Sequence, residues 1–271
     1  MSSGLIALAV VALGMWKSWP NVCFWWRFEK LGLNAQGYPE YRHRRTGIVL
    51  VRVRGGRFFM GAQGKNPQEP NYDPEAAEYE GPVHEVELSP FLVGKYEVTQ
   101  AQWLSVMRDN PSEKRWTGDN LPVVNVSWDD CQEFCRKAGL KLPTEAQWEY
   151  ACRAGTSTAW GGGDLADMGW CPENSGLSIH PVGQKLTNGF GIHDMHGNVS
   201  EWCEDMYDQN FYGNTRGMKD PICSSGIGER VFRGGSWIAL AKLCHSGSRD
   251  CYKPSGVSWS IGFRISYYPV P

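Results

Sequence analysis

The sequence predicts a loop-rich α+β domain with short antiparallel strands and about three helices. Its composition favours turns and large aromatic rings, with 32 Gly, 16 Pro and 13 Trp among 271 residues. Thr99, Ser127 and Thr144 each stand three positions before an amide or acidic side chain, which is the pattern of a helix N-terminus. Short segments that alternate apolar with polar residues indicate strands, so aromatic side chains are expected to supply much of the core.

Length and charge limit the organisation and the partners. A chain of 271 residues fits one large domain, and its net charge of -2 gives no electrostatic basis for binding nucleic acid. We therefore expect three segments. They are a hydrophobic leader or anchor over residues 1–28, a polar connector over residues 29–46, and a single domain over residues 47–271.

The leader begins with an apolar run over residues 4–16. This run is shorter than the roughly 20 residues that a bilayer-spanning helix needs, and no basic residue precedes it as in a secretory signal. One indole ends the run and three more follow it, as at a membrane interface: Trp16, then Trp19, Trp25 and Trp26. Membrane contact through residues 4–26, as a short anchor or an interfacial helix, would leave the domain in the cytoplasm; a packed internal helix is the alternative.

The strands are expected early in the domain. Alternation over residues 48–54 predicts a first strand, and residues 58–61 are expected to complete a hairpin after Gly55 and Gly56. Residues 84–88 alternate again and predict a further strand. Beyond the helices, from about residue 155 onward, the chain is expected to form mostly turns and short strands.

Each predicted helix begins at its capping residue and turns an apolar side chain towards the core. Trp103, Phe134 and Trp148 lie on the apolar faces of the first, second and third helix. Gly139 and Gly155 are expected to end the second and third, because glycine readily adopts the left-handed conformation found at helix C-termini.

Seven phrases of the sequence carry a resemblance to a known family. They are GGRFFMG from Gly55, YEVTQAQW from Tyr96, PVVNVSW from Pro122, LPTEAQWEYA from Leu142, NGFGIHDMHGNVSEW from Asn188, FRGGSW from Phe232 and IGFR from Ile261. In this order they resemble the formylglycine-generating-enzyme, or sulfatase-modifying-factor, superfamily. The resemblance spans roughly residues 47–266 and implies an elaborated C-type lectin-like fold.

Catalytic members of that superfamily use two cysteines, just after the Arg-Gly-Gly-Ser phrase, to bind copper and oxidise a substrate cysteine. The matching stretch here, residues 238–243, has no thiol, so the resemblance implies neither copper nor turnover. Cys244 and Cys251 are left as a pair for an alternative oxidoreductase. The chain has nine cysteines, an odd number, and buried free thiols are expected for most of them.

The resemblance also implies a calcium site. In related enzymes the Gly-Asn-x-x-Glu phrase wraps a calcium ion with backbone carbonyls, the Asn amide and the Glu carboxylate, which are the hard oxygen ligands that this ion prefers. The phrase here supplies Gly197, Asn198, Val199 and Glu201. The alternative is that Asn198 and Glu201 only form hydrogen bonds to a loop.

Other members of the superfamily are the variable proteins of diversity-generating retroelements, in which adenine-directed mutagenesis rewrites the terminal loop. Relatives are rich in Asn there, whereas this chain has no Asn after residue 237. Most residues of the segment are ones that changes at the two adenines of an Asn codon generate, although Trp259 needs another template codon. The predicted ligand-binding residues are Ile238, Ala239, Leu240, Ser248, Asp250, Cys251, Tyr252, Ser255, Gly256, Val257 and Trp259.

The sequence thus favours a non-catalytic protein that binds a protein or other macromolecular ligand through residues 238–260. A copper-dependent formylglycine-generating oxidoreductase and an accessory subunit of a membrane complex are the alternatives. Inward packing of Leu240, Leu243 and Trp259 would contradict the binding surface. Three arginines are expected to belong to the scaffold, holding backbone carbonyls or acids such as Glu201 or Asp205: Arg233, Arg249 and Arg264.

Overall fold

A computed structural model describes residues 24–268. The apolar run at residues 4–16 therefore lies outside the described residues. Within residues 24–268, no helix is both long and apolar enough to cross a membrane.

Thirteen short strands are formed in the described part of the chain. The first six are β1 (Phe28–Leu33), β2 (Pro39–His43), β3 (Val49–Val53), β4 (Gly56–Met60), β5 (His84–Leu88) and β6 (Phe91–Gly94). The others are β7 (Gly169–Trp170), β8 (His196–Gly197), β9 (Ser200–Met206), β10 (Arg230–Arg233), β11 (Arg249–Tyr252), β12 (Ile261–Gly262) and β13 (Ser266–Tyr267).

The strands form two larger sheets and two small ones. One sheet has the order β1-β2-β3-β6-β13 and the other the order β11-β10-β9-β12, while β4 pairs with β5 and β7 with β8. The prediction that β3 and β4 form a hairpin is wrong, because β3 pairs with β2 and β6 instead. At the junction Gly55 has φ +69°, and a Cβ there would lie 2.2 Å from the carbonyl oxygen of Leu88. Because glycine has no Cβ, the chain can turn here, and β4 then pairs with β5.

Residues 29–46 are not a connector. They contribute nearly all of β1 and the whole of β2, which pair with each other and extend the five-stranded sheet. Phe24, Phe28 and Tyr41 are buried in the main hydrophobic core, and burying such rings is a large stabilising contribution. The domain therefore includes residues assigned to the leader and the connector, whose apolar side chains are interspersed among charged ones.

Residues 24–27 are helical, and four further α-helices follow β6 in the described part of the chain: α1 (Gln100–Leu104), α2 (Trp128–Ala138), α3 (Glu145–Arg153) and α4 (Leu165–Met168). The capping boxes predicted at Thr99, Ser127 and Thr144 are all formed. Helix α2 ends at Gly139 in the left-handed conformation, as predicted. In α3 that conformation falls on Ala154, one residue before the predicted glycine.

Aromatic rings organise the core, as the composition predicts. Trp103 and Phe134 stack with ring centroids 5.5 Å apart, and Phe263 meets both edge to face. A second core, around Trp148, joins α3 to the two-stranded sheet of β4 and β5 and to the four-stranded sheet. This second core also contains Val231 of β10, the strand that precedes the C-terminal segment.

Candidate functional site

The candidate site is built on residues 238–260, which we call the terminal insert. Before it, β10 pairs with β9 and with β11; after it, β12 pairs with β9 in parallel. Both ends of the insert are therefore fixed to one sheet. Strand β11 returns through its middle and divides it into two loops.

A pair of glycines opens the insert. Gly234 and Gly235 have φ values of +94° and +66°, which only glycine adopts without strain. A Cβ on Gly235 would lie 2.5 Å from Cys244 Sγ and 2.7 Å from the carbonyl oxygen of Leu243. The chain can make this turn only because residue 235 has no side chain.

Main-chain hydrogen bonds tie the insert to the rest of the domain. Ser246 N donates to Ala159 O at 2.7 Å. Towards the end of the insert, Asn125 N donates to Ser258 O at 2.9 Å and Ser200 N to Ser260 O at 2.8 Å. None of these three bonds uses an insert side chain, so this part of the anchoring does not depend on which side chains the insert carries.

Buried ion pairs lie beneath the insert. Arg249 Nε and Nη2 both donate to the Glu145 carboxylate at 2.8 Å. Arg233 Nη2 donates to Glu149 at 2.5 Å and also to the carbonyl oxygen of Ser246 at 2.8 Å. The two arginines thus connect the insert to the glutamates of α3, and such charge-assisted bonds are strong when they are buried.

The Glu149 carboxylate of this network stays ionised despite its burial. Burial by itself raises the pKa of Glu149, but the guanidinium groups of Arg153 and Arg233 outweigh it and hold that pKa below its ordinary value. Arg153 Nε lies 2.8 Å from Glu149, four residues earlier on α3. The floor beneath the insert is therefore a charged and rigid assembly.

A pocket of about 450 Å³ opens above this floor. It is an open depression lined partly by Arg233 and Arg249, in the size range of small-molecule sites. Seven of the eleven predicted binding residues line it: Ile238, Ala239, Ser248, Asp250, Cys251, Tyr252 and Val257. Ser248 is buried, whereas Ile238, Asp250, Tyr252 and Val257 are exposed.

The other four predicted residues lie outside the pocket wall. They are Leu240, Ser255, Gly256 and Trp259. Leu240 is 58 % exposed and Trp259 44 % exposed, so neither packs fully inward. The Trp259 ring does rest partly on the domain, with its centroid 6.3 Å from that of Trp116. Leu243, by contrast, is half-buried.

Cys244 and Cys251 have different surroundings, and neither forms a disulfide. Cys244 is buried in a small cluster with Leu165 and Cys171. Cys251 Sγ donates to a Glu229 carboxylate oxygen at 2.9 Å. Burial raises the pKa of each thiol to about 12, and Glu229 adds to this effect at Cys251. Both sulfurs are therefore protonated at neutral pH, whereas nucleophilic and metal-binding sulfurs are thiolates.

The expected calcium ligands are engaged with other groups of the domain. Arg264 donates to both oxygens of Glu201 at 2.6 Å, and Trp148 Nε1 donates to one of them at 2.7 Å. The side chain of Asn198 bonds to Glu97 and to the backbone of His180. Gly197 and Val199 flank Asn198 in the buried β8–β9 segment.

This arrangement does not fit a calcium ion. The Glu201 oxygens that would bind the ion face the Arg264 guanidinium, and the Asn198 oxygen accepts a backbone N–H. Among the described residues, no group of three or more His, Cys, Asp or Glu side chains is placed to hold a metal ion. The contacts of Asn198 and Glu201 agree with the alternative, in which these two side chains only form hydrogen bonds within the domain.

Sequence reasoning identified the scaffold arginines but not all of their partners. Arg264 does pair with Glu201, whereas Arg233 and Arg249 pair with Glu145 and Glu149. The signal for these partners was two carboxylates at i, i+4 on a helix with an apolar face. Sequence gave no indication of Tyr79, which also lines the pocket.

Comparison with known proteins agrees with this geometry. The sequence model of the sulfatase-modifying factor enzyme 1-like domain matches residues 36–267, so the chain belongs to that family. The formylglycine-generating enzyme of Streptomyces coelicolor is 30 % identical over an alignment of 301 positions that covers 86 % of this chain and 93 % of that protein.

Two solved structures are similar over most of the chain. Treponema denticola variable protein 1 has a TM-score of 0.69 at 25 % identity, covering 89 % of this chain and 99 % of that one. PvdO from Pseudomonas aeruginosa also has a TM-score of 0.69 at 25 % identity, covering 82 % and 95 % respectively. The predicted superfamily and fold class are confirmed.

Proposed function

We propose that this protein is a non-catalytic binding protein whose recognition surface is the terminal insert, in the manner of the variable proteins of diversity-generating retroelements. The ligand is a protein or another macromolecule, held by the exposed side chains around the pocket. The similarity to Treponema denticola variable protein 1 supports this choice within the family.

The observation that carries the proposal is that the scaffold holds the insert backbone in place while several insert side chains are exposed. The insert backbone is fixed by the Gly234–Gly235 turn, by strand pairing and by the network of Arg233 and Arg249. The side chains at residues 238, 252 and 257 project from this fixed path into solvent. Side chains placed in this way can vary without loss of the fold, and aromatic ones supply contact area at low entropic cost.

The chemistry of the insert thiols supports binding over turnover. A copper-binding pair requires two thiolates close together. Burial raises the pKa of both thiols, so a thiolate forms less readily at Cys244 and Cys251 than at an exposed cysteine. Cys251 lines the pocket, whereas Cys244 does not.

A displayed library tests the proposal. Ile238, Leu240, Tyr252, Val257 and Trp259 would be randomised, and the library selected against purified lysozyme as the probe. A control library of equal size would randomise exposed apolar residues outside the insert: Leu31, Leu33, Leu186, Ile222 and Ile227. We expect folded binders from the first library alone, and binders at equal frequency from both would refute the proposal.

The genome offers an independent test. A near-repeat of the 3′ coding region beside a reverse-transcriptase gene, differing mainly at adenines, is expected if the insert is diversified. A locus without such a repeat would refute diversification and leave a fixed binding surface.

The similarity to the Streptomyces enzyme favours a second candidate, a copper-dependent formylglycine-generating oxidoreductase that uses Cys244 and Cys251. It predicts oxygen-dependent oxidation of a cysteine-containing peptide by the protein incubated with Cu(I). Ser replacements at both cysteines must abolish that oxidation. Activity that meets both conditions would displace the binding proposal.

A further inference from the structure

A second surface lies away from the insert, where β1 begins and α2 ends. A recess of about 340 Å³ opens there. We call it the basic face, and nine residues line it: Trp26, Arg27, His43, Arg44, Arg45, Arg136, Lys137, Ala138 and Gly139. Five of them are cationic and none is acidic, in a chain whose net charge is -2. The positive charge is therefore concentrated locally.

Two of these cations hold the face in shape. Arg27 Nη1 donates to Gly139 O at 3.0 Å, and Arg45 donates to the carbonyl oxygen of Lys137. Both bonds satisfy carbonyl groups at the C-terminal end of α2, where positive charge is favourable. This leaves Arg44, Arg136 and Lys137 as exposed cations around the rim, with Glu133 as the acid that contacts the last two.

An indole projects beside these cations. Trp26 is 81 % exposed and Trp25 is 49 % exposed, although Phe24 next to them is buried in the core. An exposed indole beside lysine and arginine is the combination found at membrane–water interfaces, where the ring lies at headgroup level.

We propose that the basic face docks on a bilayer surface that contains anionic lipid headgroups. Charge complementarity favours phosphate-bearing headgroups, and Trp26 supplies an interfacial anchor. The sequence also places its apolar run, residues 4–16, shortly before this face. A surface of basic residues and an apolar segment that precedes it in the sequence provide the two signals that stable membrane attachment requires. The terminal insert is not part of this face, so the inference stands apart from the proposed binding function.

Co-sedimentation of the full chain with vesicles tests the inference. Vesicles of phosphatidylcholine with phosphatidylglycerol are expected to bind the protein at low salt more tightly than vesicles of phosphatidylcholine alone. High salt should remove the difference, because screening shortens the range of the attraction.

Charge-neutralising variants assign the effect to the basic face. Arg44→Gln with Lys137→Gln should weaken partitioning roughly 25-fold, at about fivefold for each cation near an anionic surface. Lys242→Gln with Lys253→Gln removes two exposed cations of the terminal insert and should leave vesicle binding unchanged. Trp26→Ser should weaken binding without altering the thermal midpoint, because this ring is exposed.

Three results would overturn the inference. The first is equal binding to neutral and anionic vesicles. The second is an equal loss of binding in the two double variants. The third is capture of polyglutamate by the basic face with no affinity for the anionic vesicles, which would assign the face to an acidic polypeptide. Unchanged melting of each double variant would show that the comparison is not affected by unfolding.

Discussion

The replacement Glu145→Gln tests whether the buried charges beneath the insert hold the domain together. The Glu145 carboxylate accepts two bonds from Arg249 at 2.8 Å, one from Arg233 at 3.2 Å and one from Tyr212 Oη at 2.9 Å. Glutamine keeps the volume and one oxygen, but its NH₂ group would face an Arg249 N–H donor. Arg249 would then remain a buried cation without its carboxylate.

The expected loss is large. Removing one partner of a buried ion pair costs about 3–5 kcal/mol, because the other charge is left unpaired in a poorly solvated place. For a domain of this size each kcal/mol lowers the thermal midpoint by roughly 2–4 °C, so a fall of about 6–20 °C is expected. Thermal and urea unfolding at pH 7, followed by circular dichroism, would measure it.

The chain offers a matched control in Glu133→Gln. Glu133 also receives two bonds at 2.8 Å from one arginine, Arg136, but this pair is exposed on α2. The same chemical change there should leave the midpoint nearly unchanged, since solvent replaces the lost partner. The double replacement Glu145→Gln with Arg249→Met should be milder than Glu145→Gln alone. Equal midpoints for Glu145→Gln and Glu133→Gln would refute the reasoning.

Four further outcomes are expected. Gly235→Ala should lower the free energy of unfolding by about 1–3 kcal/mol in urea titrations, because φ is +66° and the Cβ would contact Cys244; an unchanged midpoint would contradict that geometry. Joint replacement of Ile238, Tyr252 and Val257 by Ser should leave unfolding within about 1 kcal/mol of the parent, since exposed substitutions have small effects; a larger loss would show inward packing. Burial raises the pKa of Asp194 to about 6 from its ordinary 3.8, so its contribution to stability is present below pH 3.8 and is lost as pH rises through 6. Asp194→Asn should therefore gain roughly 2–3 kcal/mol relative to the parent between pH 4 and pH 8, and a pH-independent difference would disprove the shift. Adding or chelating calcium should leave the thermal midpoint unchanged, because the residues of the expected site do not fit the ion. A midpoint that rises with calcium would contradict this, since a ligand that binds only the folded state must raise it.

Local features of the fold were predictable from the sequence. Capping boxes at Thr99, Ser127 and Thr144 depend on residues three positions apart, so the sequence alone specifies where three helices begin. The seven family phrases indicated the lectin-like fold, and the last two of them, FRGGSW and IGFR, bound the insert. The residues proposed for recognition followed from those boundaries.

Pairing across long separations was not predictable. The sequence does not reveal that β1 and β2 join the main sheet, since Phe28 and Tyr41 stand among charged neighbours. It offered Glu201 both as a calcium ligand and as a partner of a scaffold arginine, and only the fold shows that Arg264 holds both of its oxygens. The basic face likewise combines residues near position 27 with the end of α2.

The sequence by itself determined the family, the helix starts and the position of the terminal insert, because each depends on short stretches of chain. Tertiary structure alone decided which carboxylates meet Arg233 and Arg249 and that a pocket opens above them. The physical reason is that a buried charge must find its partner wherever the fold places one. Here Arg249 meets Glu145 across 104 residues, and no local pattern records that distance.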